Sequence, residues 1–219
     1  MLLALNFKEN VIAFSEYLKN IDKTCVETVF FPCNQQFPLS VKLRSNQSFG
    51  SQDYYTDKLA ASNVKYCIVG HSDKRQLGET DEQIAQKIKK CLQNNITPIL
   101  CVGELNKTSD EQTLKFLKKQ ISKELMFVEQ FEFGKIIVAY EPVFCIGTGQ
   151  VCDVEHVKLV INFIKKQYSF FKVLYGGSVN ETNCEQILKN VAVDGFLVGK
   201  SALNPEKVNK IAKIMENFK

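Results

Sequence analysis

Short apolar runs alternate with longer amphipathic segments along the chain. The apolar runs have the length of buried β-strands, whereas the segments between them repeat apolar residues about every three to four positions, as helices do. This pattern predicts eight strands with helices between them. The predicted strands cover residues 2–6, 28–31, 47–51, 65–69, 97–102, 136–140, 173–175 and 193–198.

Several amphipathic segments begin with residues that favour a helix N-terminus. Thr80 and Ser109 are each followed three residues later by glutamine, which is the spacing of a capping box. Asp153 is a good N-cap for the next helix, and Asn204 precedes a proline at a first helical position. Helices are therefore predicted to begin directly after these four residues. The pattern is weak over residues 32–46, where only a short helix is expected.

The order of the predicted elements indicates the architecture. Eight strands that alternate with helices imply a parallel sheet with right-handed crossovers, which is an α/β fold. Eight such units favour a closed (β/α)8 TIM barrel, with residues 1–219 as a single domain, and an open doubly wound sheet is the alternative. In a barrel the carboxyl ends of the strands face the active site, so the residues that follow each strand are the candidates for function.

The predicted strand 136–140 is followed directly by a carboxylate, Glu141, and then by Pro142. A charge at the end of a buried strand lies where a barrel carries out its chemistry. Bulky residues follow, and then the permissive tip Gly147-Thr148-Gly149, which is typical of a loop that closes over a site. We interpret this stretch as a general base with an adjoining lid.

Polar residues and glycines also follow other predicted strands. Asn6 and Lys8 point the same way from the end of the first strand, and His71 follows the fourth. A lone lysine is usually solvated and a lone histidine is usually structural, but their shared position at strand ends favours a functional role. Glycine-rich turns at 175–179 and 195–201 follow the last two strands, where backbone N–H groups can bind phosphate.

The composition is that of an ordinary globular protein, with 45% hydrophobic and 24% charged residues. The net charge of +4 is too small and too scattered to indicate a nucleic-acid partner. The lysines of 87–90 and 165–166 are interpreted as solvated helix faces. Because the chain has two histidines and no metal-ligand spacing, we expect no metal and no cofactor.

The eight cysteines include no CxxC pair, and several lie inside apolar runs. Free buried thiols are typical of a reducing compartment, so we expect a cytoplasmic protein. Residues 1–5 are too short for a signal-peptide core and lack a basic leader. No apolar run reaches the length that crosses a bilayer, so no membrane partner is expected.

Together, the strand-end motifs resemble those of the triosephosphate isomerase family. The resemblance covers essentially the full length, with the motifs in the same order. It rests on Asn6-x-Lys8, Gly70-His71-Ser72-x-x-Arg75, Cys101-x-Gly103-Glu104, Tyr140-Glu141-Pro142-Val143 with Ile146-Gly147-Thr148-Gly149, Tyr175-Gly176-Gly177-Ser178-Val179, and Gly195-Phe196-Leu197-Val198-Gly199. Tyr-Glu-Pro followed by Ile-Gly-Thr-Gly is highly specific to the family.

The resemblance implies an isomerase of glycolysis and gluconeogenesis, which interconverts dihydroxyacetone phosphate and D-glyceraldehyde 3-phosphate through an enediolate. It implies that Glu141 is the base and that a neutral His71, kept so by a helix N-terminus, donates to the substrate oxygens. Lys8 and Asn6 are implied to stabilise the oxyanion. The implied phosphate-binding residues are Gly147, Ser178, Gly199 and Lys200.

Other residues near these motifs are expected to have supporting roles. The resemblance implies such roles for Asp73, Cys101 and Glu104. Cys101 is expected to pack under the site, and Glu104 is expected to pair with Lys74 or Arg75. His156, in the first turn of a helix, is expected to be exposed and inert, and Cys145 is expected to pack rather than react.

The chain departs from the family at four positions and in one loop. Phe7 stands where the family usually has tryptophan, Asp73 where it has glutamate, Lys74 where it has arginine, and Lys200 where it has a second glycine. After strand 3 the loop is shortened, because only the eighteen residues 53–70 separate Gln52 from His71. The protruding loop through which family members dimerise is therefore absent. We expect a monomer or an atypical homodimer that binds a small triose phosphate.

Two other functions stay open from the sequence. A decayed barrel could bind a phosphorylated metabolite without efficient turnover, which the missing loop, Asp73 and Lys200 suggest. Another phosphate-binding barrel, such as a lyase, needs a lysine on a mid-barrel strand that forms a Schiff base with the substrate. None of the eight predicted strands contains a clear candidate for that lysine. The retention of Asn6, Lys8, His71 and Glu141 favours the active isomerase.

Overall fold

The computed structural model describes residues 1–36, 40–55, 63–146 and 152–218, and within them eight parallel strands form a closed barrel. Each strand pairs with the next one in the chain, and the last pairs with the first. The strands are β1 (Leu2–Asn6), β2 (Glu27–Phe31), β3 (Gln47–Ser51), β4 (Tyr66–Val69), β5 (Thr97–Val102), β6 (Ile137–Tyr140), β7 (Lys172–Tyr175) and β8 (Gly195–Val198). The predicted (β/α)8 barrel is confirmed, and the open doubly wound alternative is wrong.

Helices of the described residues surround this barrel. They are α1 (Phe14–Lys19), α2 (Ser72–Gln76), α3 (Asp81–Gln93), α4 (Asp110–Glu124), α5 (Val154–Gln167), α6 (Cys184–Asn190) and α7 (Pro205–Glu216). Short 3-10 turns add Asn34–Gln36, Gln130–Lys135, Val143–Cys145 and Lys200–Leu203. The sequence of the shortened loop also predicts a helix over 57–62, and these residues lie outside the described part of the chain. Over 32–46 the described residues contain only the Asn34–Gln36 turn, since 37–39 also lie outside.

The four predicted helix starts are confirmed by their caps. Thr80 forms both halves of a capping box at α3, and Ser109 accepts from the backbone of the third residue of α4. The Asp153 carboxylate accepts from the second residue of α5, and Asn204 accepts from two N–H groups of α7, whose first residue is proline. These caps satisfy N–H groups that a helix cannot bond internally, so the helices begin where the sequence predicts.

The core has two layers, because successive side chains of a strand point to opposite faces. Small and medium residues such as Ala4 and Ala139 fill the barrel interior, whereas Leu3 and Leu5 pack outward against the helices. Phe7 belongs to the outer layer, where its ring packs edge-on against Phe14 with centroids 5.1 Å apart. The phenylalanine at this departure from the family is therefore fully packed in an aromatic cluster.

Seven of the eight cysteines are buried, Cys25 is exposed, and none of the eight forms a disulfide. The prediction of thiols outside disulfides, most of them buried, is therefore confirmed. No helix among the described residues is both long enough and apolar enough to cross a membrane.

Candidate active site

A cavity of about 310 Å³ opens at the carboxyl ends of the strands. Seven of the residues that the sequence singled out line it: Asn6, Lys8, His71, Glu141, Ser178, Gly199 and Lys200. They come from the ends of β1, β4, β6, β7 and β8, so the barrel brings together side chains that are far apart in the chain. Gly147, the remaining phosphate-binding candidate, lies outside the described residues, as does the glycine tip of the predicted lid.

Glu141 is held at its backbone and buried at its side chain. Its N–H donates to the carbonyl oxygen of Val102 at 2.8 Å, which continues the pairing of β6 with β5. Two glycines make room for it: a Cβ atom on Gly103 would lie 1.8 Å from the Glu141 carbonyl oxygen, and one on Gly176 would lie 2.8 Å from its Cγ. Both glycine positions are therefore explained by close approach to Glu141.

The Glu141 carboxylate faces His71 across the cavity. Its Oε1 lies 3.4 Å from Nε2 of His71, and its side chain is 5% exposed. Among the described residues, no hydrogen-bond partner reaches its Oε2. A buried carboxylate oxygen without a partner is costly, and such groups are typical of functional sites. Glu141 therefore has a water-shielded carboxylate oxygen, without a hydrogen-bond partner in the described part of the chain, at the end of a buried strand.

The His71 ring caps the short helix α2, and this contact determines its tautomer. Its Nδ1 accepts a hydrogen bond from the backbone N–H of Asp73 at 3.2 Å. Because a backbone N–H can only donate, Nδ1 carries no proton, and the proton of the imidazole is on Nε2. The Nε2–H group lies at the cavity, 3.4 Å from Oε1 of Glu141.

Lys8 and Lys200 are the lysines that line the cavity among the described residues, and Lys8 lies at the end of β1. Its Nζ lies 3.0 Å from Oδ2 of Asp73, so the shorter aspartate at this departure from the family still reaches the lysine. The backbone of Lys8 has a φ of 51°, which a residue other than glycine adopts rarely. The Asn6 side-chain oxygen accepts from the Lys8 N–H at 3.0 Å, which leaves the amide nitrogen of Asn6 as a donor.

Gln52 holds the same segment and was missed by the sequence analysis. Its Nε2 donates to the carbonyl oxygens of Lys8, Phe31 and Pro32 at 2.8, 3.0 and 2.9 Å. It therefore joins the ends of β1 and β2 from the position directly after β3. The signal was available, because Gln52 is the polar residue at the carboxyl end of the third strand.

The opposite side of the cavity consists of turns after β7 and β8. Ser178 has a φ of 49°, and its hydroxyl donates to the carbonyl oxygen of Cys145 at 2.7 Å. Its own carbonyl oxygen accepts from the Asn183 side chain at 2.9 Å, so the turn is fixed on both sides. Gly199 directly follows β8 and precedes the 3-10 turn that Lys200 begins. Backbone N–H groups of such turns form concave anion sites.

Cys101 lies below the carboxylate, in the barrel interior. It belongs to the interior cluster and is buried. Burial raises the pKa of its thiol well above the ordinary value, and the neighbouring Glu141 raises it further. Cys101 is therefore a neutral packing residue under Glu141 rather than a nucleophile.

The expected partners of Glu104 are wrong. Glu104 points away from the cavity, and its Oε1 accepts from the Tyr140 hydroxyl at 2.9 Å and lies 3.0 Å from Nε2 of His156. Arg75 instead donates to the Gly70 carbonyl at 2.6 Å and pairs with Glu124 at 2.6 Å. The cause is alternation along the chain, since Glu104 leaves β5 on the helix side of the barrel.

The expectation that His156 is exposed is also wrong. Its side chain is 8% exposed, between Glu104 and Asp110. The pattern of α5 contained a signal, because His156 is four residues before Val160 and eight before Ile164, both of which are buried. Helical residues at that spacing share a face.

No group of three or more histidine, cysteine, aspartate or glutamate residues in the described part of the chain is arranged to hold a metal ion. A larger cavity of about 680 Å³ lies beside α3, and none of the seven residues named above lines it. It contains Lys87 between Asp53 and Glu79, three charges that neutralise one another in part. The cavity at the strand ends instead combines a buried carboxylate, an imidazole and glycine-rich turns.

Comparison with known proteins agrees with the motifs. The sequence model of the triosephosphate isomerase family matches residues 4–215. The triosephosphate isomerase of Mesomycoplasma hyorhinis is 38% identical over 178 residues, which are 78% of this chain and 71% of that protein. That of Trichodesmium erythraeum (strain IMS101) is 39% identical over 152 residues, 68% of this chain and 62% of that protein. That of Endomicrobium trichonymphae is 34% identical over 203 residues, 85% of this chain and 81% of that protein.

Proposed function

The chain belongs to the triosephosphate isomerase family, and we propose that its strand-end cavity interconverts dihydroxyacetone phosphate and D-glyceraldehyde 3-phosphate through an enediolate. The enzyme is an aldose–ketose isomerase of the triose phosphates of glycolysis and gluconeogenesis. The observation that carries the assignment of the site is the facing pair formed by the Glu141 carboxylate and the His71 Nε2–H group, 3.4 Å apart.

Glu141 acts as the base in this proposal. Its carboxylate takes a proton from the carbon next to the substrate carbonyl and returns it to the neighbouring carbon. The position supports the role, because one carboxylate oxygen has no partner among the described residues and the side chain is shielded from water. Shielding strengthens the electrostatic interactions of a carboxylate with a bound substrate.

His71, Lys8 and Asn6 act on the substrate oxygens. The Nε2–H of His71 donates to them, because its Nδ1 is already engaged as an acceptor. The Lys8 ammonium group and the Asn6 amide stabilise the negative charge that develops on the enediolate. Donors that are fixed before the reaction begins lower the barrier most, and one such group is worth about 10²–10³ in kcat.

The substrate phosphate binds at the turns after β7 and β8. In this proposal the backbone N–H groups of Ser178, Gly199 and Lys200, which line the cavity, donate to the phosphate oxygens. Gly147 is a fourth donor in this proposal. The Lys200 side chain adds positive charge at the cavity wall, where the family usually has glycine.

Assembly and compartment follow from the same proposal. The loop after β3 is too short for the protrusion that joins family members into dimers, so the protein is a monomer or an atypical homodimer. Analytical ultracentrifugation decides between a monomer and a tight dimer. Eight cysteines outside disulfides, seven of them buried, favour the reducing cytoplasm.

A coupled assay with dihydroxyacetone phosphate tests the function. Wild-type protein is expected to form D-glyceraldehyde 3-phosphate, and Glu141→Gln is expected to lower kcat by about 10³-fold or more while substrate binding, measured by calorimetry, is retained. Glu141→Asp withdraws the carboxylate by one methylene, and its kcat is expected to lie between those of the wild type and Glu141→Gln. Binding by the wild type without turnover would instead identify a phosphorylated-metabolite binder, an alternative that the isomerase names of the relatives above do not favour.

A further inference from the structure

A buried polar cluster joins α5 to the ends of β5 and β6, outside the cavity. It consists of His156, Glu104 and Tyr140, with His156 Nε2 3.0 Å from Glu104 Oε1 and 3.1 Å from the Tyr140 hydroxyl. The Tyr140 hydroxyl also donates to Glu104 Oε1 at 2.9 Å. Because an ionised carboxylate only accepts, the Nε2 atom of His156 donates to Glu104.

Glu104 is the important partner of His156, and Asp110 is the minor one. The Glu104 side chain is 5% exposed, whereas the Asp110 side chain, 3.2 Å from Nδ1 of His156, is 64% exposed. An exposed ion pair contributes little, whereas a buried carboxylate that loses a donor pays the full cost of desolvation. No partner reaches Oε2 of Glu104 among the described residues, so Tyr140 and His156 provide the donors for this carboxylate.

The backbone at Glu104 is bonded directly to the segment that carries the base. The Glu104 carbonyl oxygen accepts from the N–H of Val143 at 3.0 Å, and Val102 accepts from the N–H of Glu141 at 2.8 Å. Gly103 lies against the Glu141 carbonyl so closely that no side chain fits between them. A shift of the backbone at the end of β5 therefore moves the backbone of Glu141.

His156 also touches this segment itself. Its ring packs edge-on against Phe144, with centroids 6.3 Å apart and an angle of 65° between the planes. Phe144 lies in the 3-10 turn Val143–Cys145, which begins two residues after Glu141. The histidine thus contacts the base-bearing segment through Phe144 and, by way of Glu104, through the backbone of Val143.

We infer that His156 is a positioning residue for the isomerase reaction: its bond to Glu104 and its contact with Phe144 hold residues 141–144 so that the Glu141 carboxylate stays opposite His71. The inference rests on the proposed function. It assigns a kinetic role to a side chain that has no contact with the cavity. A displacement of about 1 Å at the base costs up to about 10²-fold in rate, so a small relaxation of this segment is measurable.

Three variants separate the donor from the bulk of the ring. His156→Leu keeps an apolar side chain but removes the donor, His156→Asn keeps a polar amide that is too short to reach Glu104, and His156→Gln places an amide nitrogen near the position of Nε2. Lys158→Gln is the control, since Lys158 is on the same helix and makes a solvent-exposed pair with Glu155.

The expected result is a loss of kcat of about 10-fold or more in His156→Leu and His156→Asn, with KM changed less than about twofold because the phosphate turns are untouched. The primary isotope effect on kcat, measured with dihydroxyacetone phosphate deuterated at C1, is expected to rise, since proton transfer becomes slower. His156→Gln is expected to recover kcat to within about threefold of the wild type, and Lys158→Gln to match it.

Wild-type kcat in both His156→Leu and His156→Asn overturns the inference, and so does a lower kcat with an unchanged isotope effect, which would mark a general loss of folded enzyme. If His156→Leu does not fold, His156→Asn decides by the same criteria. Failure of His156→Gln to recover kcat also overturns the inference. A wild type without isomerase activity overturns the proposed function as well, so the two failures are distinguishable.

Discussion

Nε2 of His71 lies 3.4 Å from Oε1 of Glu141, although the two residues come from β-strands that are not neighbours in the barrel. The Nδ1 atom of the same ring is occupied by the Asp73 backbone N–H. The ring therefore cannot rotate to present its other nitrogen without losing a hydrogen bond at the start of α2. This fixed orientation gives His71 a defined donor on the cavity side.

Replacement of His71 by glutamine tests this donor. An amide can donate but cannot reproduce both the Nδ1 contact and the Nε2–H direction, so kcat is expected to fall by about 10²–10³-fold with a smaller change in KM. Steady-state kinetics of His71→Gln in both directions of the reaction gives kcat and KM. A kcat within about threefold of the wild type would contradict the role of His71.

Removal of Gln52 is expected to weaken catalysis through Lys8. Gln52→Leu deprives the carbonyl oxygens of Lys8, Phe31 and Pro32 of their shared donor and frees a Lys8 backbone held at a φ of 51°. We expect kcat/KM to fall about 10-fold or more, and the free energy of unfolding by about 1–3 kcal/mol.

Gln36→Leu is the matched control for Gln52→Leu. Gln36 also bonds to the backbone, donating to the Ile12 carbonyl at 2.6 Å and accepting from its N–H at 3.0 Å, but it makes no contact with Lys8 among the described residues. Gln36→Leu is expected to lower the free energy of unfolding and to leave kcat/KM unchanged. An equal loss of kcat/KM in the two variants would show that Gln52 acts only through stability.

The sequence predicts the barrel because local patterns repeat eight times. The strands predicted at 2–6, 47–51 and 97–102 have the predicted bounds, and the other five differ by at most two residues at an end. Asn6, Lys8, His71 and Glu141 were identifiable because a parallel barrel places the ends of all its strands at one face. That rule needs only the order of elements, and not the packing of particular side chains.

The partners of Glu104 could not be predicted in the same way. Its contact with His156 joins residues 52 positions apart, on a strand end and a helix, and depends on how α5 packs against the barrel. Arg75 was an equally reasonable partner from charge alone, but the structure places it against Glu124. Pairing between side chains of different units is decided by tertiary packing, which a local pattern does not contain.

Removal of Lys87 is expected to destabilise the fold without a direct effect on the site. Lys87 lies 2.5 Å from Asp53 and also pairs with Glu79, and both carboxylates are largely buried. Lys87→Met leaves two buried negative charges without their partner, which costs about 3–5 kcal/mol. Urea unfolding measures this change in the free energy of unfolding. The control is Lys19→Met, which breaks an exposed pair with Glu16 and is expected to leave the free energy of unfolding unchanged.

Glu124 is expected to make stability depend on pH. It is fully buried beside Arg75, 2.6 Å away, and burial raises the pKa of its carboxyl to about 8, although Arg75 opposes the shift. In the unfolded chain this carboxyl ionises near its ordinary pKa of about 4.3, so between that value and about 8 the folded state binds the proton more tightly. The contribution of Glu124 to the free energy of unfolding is therefore fully present below the unfolded pKa of about 4.3. It is lost as the pH rises through the folded pKa of about 8.

Glu124→Gln removes this pH dependence and keeps the shape of the side chain. The free energy of unfolding, measured with urea, is expected to fall between pH 5 and pH 8 by on the order of 1–3 kcal/mol in the wild type. The fall is expected to be smaller in Glu124→Gln. Glu111→Gln, on the exposed face of the same helix α4, is expected to follow the wild type. If Glu124→Gln loses as much stability as the wild type between the two pH values, the carboxyl is already ionised at pH 5. The attraction of Arg75 would then outweigh the cost of burial, and the ion pair would hold α4 to the last turn of α2 over the whole pH range.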